Sequence, residues 1–334
     1  MRLSAMGDVA MTVPVLRALV AQHPEVRLTV ISRAFFAPFF KDIPRTEFFA
    51  FDSQKRHKGV LGLLQLYWDL KPLQIDFFAD LHNVLRSKFI RSRFAIRGTK
   101  TAATDKGRAE KKALTRAEHK IFQPLKTMFE RHAETFAQLG FPIDLSQPVF
   151  PKLKLSEQTL LATGIKTPKW IGIAPFAQYV GKVYPQDLMQ EVVAGLAQET
   201  QNKIFLFGSR DEVSALQNLA GNSQNVCIIA GRLSLEHELE LIANLDAMLS
   251  MDSGNAHLAA MYGVPTVTLW GATHPYAGFL PFGQPMENAL TADRNQYSLL
   301  PTSVYGNKVV PGYEDAMRTI PAEQVIQKIK SLLQ

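Results

Sequence analysis

The sequence is poor in cysteine and has no long apolar run. Its 334 residues include one cysteine, which excludes an internal disulfide framework and a cysteine-rich zinc site. Because this residue, Cys227, lies in the apolar run 226–229, we expect it to be a small core residue. No stretch reaches the ~18 consecutive apolar residues of a membrane-spanning helix, and Ser4, Gly7 and Asp8 interrupt any signal-peptide core at the N-terminus. These absences predict a cytosolic protein, and the hydrophobic content of 46% is sufficient for a packed core.

The fingerprints of several large enzyme classes are missing as well. There is no G-x-G, which excludes the glycine-rich dinucleotide-binding turn, and no G-x-x-x-x-G-K-[ST], which excludes a P-loop. There is no H-E-x-x-H, and the eight histidines are scattered without the spacing of metal ligands. The sequence therefore predicts no metal site and no resident cofactor.

Basic residues are concentrated in the first half of the chain. Residues 1–150 contain 24 Lys and Arg against 14 Asp and Glu, a surplus of +10, whereas residues 151–334 contain 13 against 16. The window 86–131 alone has 14 basic and 4 acidic residues. This asymmetry predicts that the first half meets an anionic partner, which is nucleic acid, a membrane surface or an anionic substrate. A solvated helical face is the simpler alternative for most of the single charges.

The second half alternates short apolar runs with helical patterns, which indicates a doubly wound α/β domain with a parallel sheet. The predicted strands cover residues 170–175, 203–208, 226–231, 247–252 and 266–271. The predicted helices cover residues 185–201, 210–220, 234–244 and 255–262, and an amphipathic helix at 322–333 follows.

The first half has weaker patterns. We predict a helix at 12–22 and strands at 27–32 and 74–80. The polar and basic stretch 98–112 is expected to be a mobile loop or a helix that is ordered only on binding. Because only residues 1–3 precede the first turn into a helix, the first strand is short or the natural start lies upstream.

One turn combines the features of an anion site. The strand at 247–252 ends at Asp252, and Ser253 and Gly254 lead directly into a helix with His257 in its first turn. Backbone N–H groups at a helix start carry partial positive charge and suit a phosphate or diphosphate. Open α/β sheets bind ligands at this carboxyl end of the strands. An ordinary strand–turn–helix with a serine cap and a core-facing histidine has the same sequence.

Three further residues lie at comparable turns. Lys182 precedes the helix that follows the strand at 170–175, where it either neutralises a phosphate or is a solvated loop lysine. Glu212 begins the helix after the strand at 203–208, where a carboxylate binds ribose hydroxyls or caps the helix. Asp8 lies in the first turn of the N-terminal helix and is either a partner of the helix dipole or a general base.

The order and spacing of these motifs resemble those of glycosyltransferase family 9, the ADP-heptose-dependent lipopolysaccharide heptosyltransferases. The segments that carry the resemblance are residues 2–8 (RLSAMGD), 76–82 (DFFADLH) with 86–87 (RS), 175–185 (PFAQYVGKVYP), 208–212 (GSRDE), 252–259 (DSGNAHLA), 264–265 (VP) and 269–273 (LWGAT). Phe176, Tyr184, Asn255 and Ala272 stand where the family usually has Gly, Trp, Pro and Pro.

The resemblance implies a GT-B architecture, in which two Rossmann-like doubly wound domains face each other across a cleft and a C-terminal helix crosses back to the first domain. We expect an acceptor-binding domain at 1–155, a nucleotide-sugar-binding domain at 165–315 and the helix at 316–334. The implied reaction is an inverting, metal-independent transfer of heptose from ADP-heptose to an inner-core acceptor, either Kdo-lipid A or a heptosylated form. The implied location is the cytosolic face of the inner membrane, with the anionic acceptor and the membrane surface as partners.

The resemblance also assigns roles to individual residues. Asp8 would be the catalytic base. The nucleotide sugar would be bound by Lys182, Glu212, Leu233, Asp252, Ser253, Gly254 and His257, with Glu212 at the ribose and Leu233 near the adenine. The acceptor would be bound by Ser4, Arg86, Lys88 and Arg91.

Two alternatives remain open at this point. A GT-B enzyme that uses another nucleotide sugar or acceptor would share these motifs. A nucleic-acid-binding protein would use the basic window 86–131, and its binding would fall steeply with salt. That window has few aromatic residues and no recognisable reader motif, so we favour the glycosyltransferase.

Overall fold

The computed structural model describes residues 1–308 and 310–334. Its α-helices are α1 (Met6–Ala10), α2 (Thr12–Gln22), α3 (Gly59–Leu70), α4 (Leu85–Ile96), α5 (Arg108–Thr115), α6 (Met128–Leu139), α7 (Glu157–Thr163), α8 (Gln186–Ala197), α9 (Val213–Ala220), α10 (Leu235–Ala243), α11 (Gly254–Ala260) and α12 (Ala322–Leu332). Its strands are β1 (Leu28–Ser32), β2 (Thr46–Ala50), β3 (Phe77–Asp80), β4 (Lys100–Ala103), β5 (Trp170–Ala174), β6 (Lys203–Leu206), β7 (Val226–Ile228), β8 (Ala247–Met251), β9 (Thr266–Trp270) and β10 (Ala289–Thr291). Short 3-10 helices cover Ala34–Phe40, Lys71–Leu73, Val180–Lys182, Arg210–Glu212, Pro275–Ala277, Met286–Asn288 and Ala316–Thr319. Within the described part of the chain, no helix combines the length and apolarity needed to cross a membrane.

The chain folds into two compact units, and the second of them includes a segment from the first half of the sequence. The first unit comprises Met1–Arg108 and Lys126–Val149, and the second comprises Ala109–Leu125 and Phe150–Gln334. The segment Ala109–Leu125 therefore comes from the first half of the sequence but belongs to the second unit. Boundaries drawn from the sequence alone did not include this excursion.

A six-stranded parallel sheet forms the centre of the second unit, in the order β10-β9-β8-β5-β6-β7. The first of these strands in the chain, β5, is central, and the chain adds two strands on one side of it and three on the other. β5, β8 and β9 are buried along their whole length, which is typical of the continuous apolar runs in parallel sheets. The five predicted strands are confirmed to within a few residues, and β10 is a three-residue strand that the sequence did not predict.

The terminal amphipathic helix of the prediction is α12. Its apolar residues Val325, Ile326 and Ile329 are buried in the main core cluster of the second unit. A Cβ at Gly195 of α8 would lie 2.6 Å from Cδ1 of Ile326, so this glycine permits the close packing of the two helices.

An extended N-terminal segment lies between two pairs of parallel strands in the first unit. β1 pairs with β2, and β3 pairs with β4. The amide of Arg2 donates to the carbonyl of Ile31 at 3.1 Å, and the amide of Leu81 donates to the carbonyl of Met1 at 3.1 Å. Residues 1–3 thus take the place of a short first strand and bring the turn that follows them to the carboxyl ends of β1 and β3.

The stretch 98–112 is folded, which corrects the prediction of a mobile loop. It contains β4 and the start of α5. Although α5 is polar, it buries Leu114 and Lys111, and the Lys111 ammonium lies 4.1 Å from the centroid of the Phe279 ring. Because this partner is distant in the sequence, the local pattern of α5 does not reveal the contact.

The environment of Cys227 also differs from the expectation. The residue is half-buried rather than a core residue, because β7 is the edge strand of the sheet. Its Sγ lies 3.3 Å from Nη1 of Arg232.

Candidate active site

The carboxyl ends of three neighbouring strands bring several predicted donor-binding residues together in the second unit. β5 and β8 are neighbours at the point where the direction of strand addition reverses, and open α/β sheets bind ligands at such a point. Lys182 follows β5, Asp252 follows β8 and Thr273 follows β9.

Lys182, Asp252 and Thr273 form one hydrogen-bonded group. Oδ2 of Asp252 accepts from Nζ of Lys182 at 2.9 Å and from Oγ1 of Thr273 at 2.8 Å. Asp252 and Thr273 are buried, and Lys182 is half-buried. Two donors on one oxygen fix the carboxylate, and the carboxylate in turn holds the Lys182 ammonium at the switch point of the sheet. The motif 269–273 contains Thr273, but no role could be predicted for it, because that role depends on the turn after β9.

A close turn confines the stem of Lys182. Gly306 has φ +82°, and a Cβ there would lie 2.3 Å from Cδ of Lys182. The amide of Gly306 donates to Oγ of Ser303 at 2.9 Å, and the amide of Ser303 donates to the carbonyl of Ala272 at 3.1 Å. The turn 303–306 is therefore fixed to the strand end that carries Thr273. No sequence pattern marked Gly306, because only the backbone geometry shows what it touches.

The turn from β8 into α11 has the predicted order. Ser253 is the residue before α11, and its Oγ lies 3.1 Å from Oγ of Ser250. Gly254 is the first helical residue, and His257 is buried in the same first turn. The structure thus brings Ser253, Gly254 and His257 next to Asp252, although α11 is only seven residues long.

Glu212 and Leu233 lie after β6 and β7 at the same edge of the sheet. The carboxylate of Glu212 accepts the amide N–H of Ser209 through Oε2 at 2.6 Å, so it caps its own helical turn. The stem of Arg210 lies against Gly231, because a Cβ there would be 2.7 Å from Cγ of Arg210. The two turns are therefore in contact, and Leu233 is half-buried beside them.

In the first unit, Asp8 is paired with a buried arginine. Its Oδ2 lies 2.5 Å from Nη2 of Arg2 and accepts the amide N–H of Ala5 at 3.2 Å. Arg2 also donates to the carbonyls of Leu81 at 2.8 Å and Ser4 at 2.9 Å. Asp8 thus caps α1, and its carboxylate forms an ion pair with the buried guanidinium of Arg2. Ser4 lies beside this pair and holds Arg2 through its backbone.

Two residues without a role in the sequence-based prediction, His82 and Lys106, lie within electrostatic reach of Arg2 and Asp8. Burial, together with the positive charges of Arg2 and Lys106, lowers the pKa of His82 to about 4. Burial, together with the positive charge of Arg2, lowers the pKa of Lys106 to about 8. His82 is therefore neutral near pH 7, whereas Lys106 loses its charge just above that pH. His82 stands in the motif 76–82, but no local signal distinguishes Lys106 from its basic neighbours.

The predicted acceptor-binding residues of α4 have different surroundings. Arg86 and Lys88 are exposed. Nη1 of Arg91 lies 3.7 Å from Oδ2 of Asp80, a carboxylate that is fully buried at the end of β3. Oδ1 of Asp80 accepts the backbone N–H groups of His82 at 3.1 Å and of the next residue at 2.7 Å. Arg91 therefore compensates a buried charge that shapes the turn after β3, in addition to any contact with a ligand.

Comparison with known proteins decides the family. The model of glycosyltransferase family 9 (heptosyltransferase) matches residues 63–310, which is most of the chain. The chain belongs to glycosyltransferase family 9. The lipopolysaccharide core heptosyltransferase OpsX of Haemophilus influenzae is 24% identical over 293 residues, which cover 82% of this chain and 79% of OpsX. The lipopolysaccharide heptosyltransferase 3 of Escherichia coli is 20% identical over 336 residues, which cover 98% and 96% of the two chains.

Several solved structures have the same fold as this family 9 glycosyltransferase. The glycosyl transferase family 9 from Veillonella parvula has a TM-score of 0.75 at 18% identity, covering 99% of this chain and 95% of that one. E. coli heptosyltransferase WaaC with ADP has a TM-score of 0.68 at 18% identity, covering 99% and 98%. The predicted α/β fold of the GT-B type is thereby confirmed, and so is the prediction that the protein is a glycosyltransferase.

Two departures of this family 9 glycosyltransferase from the usual motif have a packing role. Tyr184 is buried, and its hydroxyl donates to the carbonyl of Ile320 at 2.6 Å, while burial raises its pKa to about 12. The amide of Ala272 donates to the carbonyl of Gly181 at 2.9 Å, which a proline at this position cannot do. The two contacts hold the backbone on either side of Lys182, at Gly181 and at Tyr184, without supplying a charged group.

Proposed function

We propose that this glycosyltransferase moves a heptose from ADP-heptose to a lipopolysaccharide inner-core acceptor, Kdo-lipid A or a heptosylated form, with inversion at the anomeric carbon. Family membership and the names of the relatives support the sugar and the acceptor class. The observation that carries the proposal is the Lys182–Asp252–Thr273 group, which holds a cation where a parallel sheet binds a nucleotide ligand.

On the donor side, the leaving diphosphate would be stabilised by Lys182 together with the start of α11 at Ser253 and Gly254 and the His257 side chain. A fixed ammonium and backbone N–H groups stabilise the charge that develops on a leaving group, without reorganising during the reaction. Asp252 would keep Lys182 in place before the donor binds, because the two groups are 2.9 Å apart.

The nucleoside would lie at the turns after β6 and β7. Glu212 would accept hydrogen bonds from the ribose hydroxyls, for which its second carboxylate oxygen is suited, since Oε2 already accepts the amide of Ser209. Leu233 would pack against the adenine. The contact between Arg210 and Gly231 would keep these two turns at a fixed separation.

On the acceptor side, Asp8 would remove the proton of the attacking hydroxyl. The new C–O bond forms as the bond from the anomeric carbon to the diphosphate breaks, the proton goes to the Asp8 carboxylate, and the electron pair leaves with ADP. A single displacement of this kind inverts the configuration. Arg86, Lys88 and Ser4 would bind the anionic acceptor, and we add Lys106 because its charge lies close to Asp8.

We also propose that the enzyme works at the cytosolic face of the inner membrane, where such a lipid acceptor is held. The basic surplus of residues 1–150 supports this location, because cationic surfaces are attracted to anionic lipids.

The decisive experiment is turnover with a panel of nucleotide sugars and Kdo-lipid A, in the presence of EDTA. We expect ADP-heptose to be the preferred donor, EDTA to leave the rate unchanged, and NMR of the product to show the inverted anomer. Preference for another nucleotide sugar would support a different GT-B enzyme, and a strong loss with EDTA would contradict the metal-free mechanism.

A further inference from the structure

Helix α3 of the first unit is apolar on two opposite faces. Its inner face is buried through Leu63, Leu66, Tyr67 and Leu70. On its outer face, Val60 is 69% exposed, Leu61 81% and Trp68 55%, and Leu64 is half-buried between them. Contiguous exposed apolar surface usually marks an interaction site.

These four outer residues, which we name the α3 patch, form one stripe. Val60 and Leu64 are four residues apart, Leu61 and Leu64 three, and Leu64 and Trp68 four, so all of them are neighbours on the helix surface. The stripe runs along the helix from its first turn to its third.

Cationic side chains flank both ends of the α3 patch. Lys55 and Lys58 precede the helix, and Lys71 follows it with its Nζ 4.9 Å from the centroid of the Trp68 ring. All three are exposed, and no ion pair involves them within residues 1–308 and 310–334.

The loop that carries Lys55 and Lys58 is fixed to α3. Oδ1 of Asp52 accepts the backbone N–H of Lys55 at 2.9 Å. Arg56 forms a bidentate pair with Asp69 of α3, at 2.7 Å from Nε and 2.6 Å from Nη2. The two carboxylates offset part of the positive charge, but they hold the unpaired lysines beside the apolar stripe.

We propose that the α3 patch lies in the interface of an anionic lipid bilayer, with Val60, Leu61, Leu64 and Trp68 at the acyl boundary and the three lysines at the headgroups. Helices that lie in a membrane plane combine an apolar face, flanking lysines and a tryptophan at headgroup level. A two-fold contact between copies of the chain is less suited to this surface, because it would bring the lysines of both copies together. The proposal rests on the proposed function for the membrane-held acceptor, but its test needs neither donor nor acceptor.

Tryptophan fluorescence tests the insertion directly. The chain has three tryptophans, and Trp170 and Trp270 are fully buried, so Trp68 alone reports on the surface. With vesicles of phosphatidylethanolamine and phosphatidylglycerol, we expect a blue shift of the emission and quenching by brominated acyl chains. Vesicles of phosphatidylcholine alone should produce a much smaller effect, because the lysines lack anionic headgroups.

Co-sedimentation of the full chain with the same anionic vesicles tests the residues. Leu61→Ser should lower vesicle binding by at least tenfold, and Lys55→Gln with Lys58→Gln should lower it by a similar factor. Ile165→Ser is the matched control, because Ile165 is 87% exposed but belongs to the second unit, and it should bind like the wild type. The free energy of unfolding in urea should be the same for Leu61→Ser as for the wild type. Weaker vesicle binding by this variant would then reflect a lost contact with the lipid and not a damaged fold.

Three results would overturn the proposal. They are wild-type vesicle binding by Leu61→Ser, absence of quenching by brominated chains, and self-association that Leu61→Ser abolishes without any binding of vesicles. Heptose transfer to a soluble fragment of the acceptor is measured separately, so a failure of the membrane surface is distinguishable from a failure of the proposed reaction.

Discussion

Replacement of Lys182 by alanine should have two separable effects. The first is on ADP binding, because a hydrogen bond to a charged group contributes ~1.5–3 kcal/mol. At ~1.4 kcal/mol per tenfold change, the Kd for ADP should rise ~10- to 150-fold. The second effect is on folding, because the buried carboxylate of Asp252 loses its counter-ion at 2.9 Å. Loss of one partner of a buried pair costs ~3–5 kcal/mol, and we expect about 3 kcal/mol because Lys182 is only half-buried and Thr273 still donates to Asp252.

A double variant separates the two effects. Lys182→Met with Asp252→Asn removes both charges, and the asparagine oxygen still accepts the hydroxyl of Thr273. Its free energy of unfolding should return most of the way to the wild-type value, because no unpaired charge remains buried. Its affinity for ADP should stay low, because the cation is still missing. Urea unfolding of the ligand-free protein and calorimetric titration with ADP measure the two quantities.

Two results would refute this reasoning. Wild-type ADP affinity in Lys182→Ala would remove the lysine from the diphosphate site. Recovery of ADP affinity in the double variant would show that the single variant was weak because of its damaged fold, not because of a missing charge.

Three further predictions concern the first unit. Asp8→Asn should lower turnover by ~10²–10⁴-fold with unchanged ADP affinity, and retention of more than about a third of the wild-type kcat would exclude Asp8 as the base. Arg86→Ala should raise the acceptor KM at least about tenfold, the effect of losing one charge-assisted contact. Arg91→Ala should chiefly lower the free energy of unfolding, because Asp80 loses its cation. Kinetics at two salt concentrations and urea unfolding distinguish the two effects, and wild-type behaviour of both variants would indicate a solvated face. Because the pKa of Lys106 is lowered to about 8, its charge is lost as the pH rises through that value, so kcat/KM for the acceptor should fall above pH 8 in the wild type. Lys106→Met should lack this alkaline limb, and an identical pH profile would contradict the role of Lys106.

The sequence predicted the second unit better than the first, for a physical reason. β5, β8 and β9 are buried over their whole length, so each is a continuous apolar run between turn residues. β2 has a mixed burial pattern and β4 is short and without large apolar residues, so neither has the alternation that marks a strand. Their strand character depends on pairing with β1 and β3, which a local pattern does not contain.

The candidate site divides in the same way. Lys182, Asp252 and Asp8 stand at strand ends or turns, where the sequence alone marks a chemical role. Thr273 and Lys106 were not predicted, because their importance comes from which groups the fold places within reach of them. The pairing of Arg91 with Asp80 also depends on the fold, and the spacing of the basic residues does not distinguish Arg91 from its neighbours.

The excursion of residues 109–125 into the second unit has a consequence for biosynthesis. The ring of Phe122 in this segment packs 4.9 Å from that of Tyr276, and Nζ of Lys120 donates to the carbonyl of Pro301 at 2.7 Å. During translation these partners emerge roughly 150 residues or more after the segment, which at ~5–20 residues per second is on the order of ten seconds. Throughout that interval the nascent chain carries this aromatic and basic segment, without its partners, between the two sequence parts of the first unit. We therefore expect the segment 109–125 to reach its final packing only after most of the chain has left the ribosome.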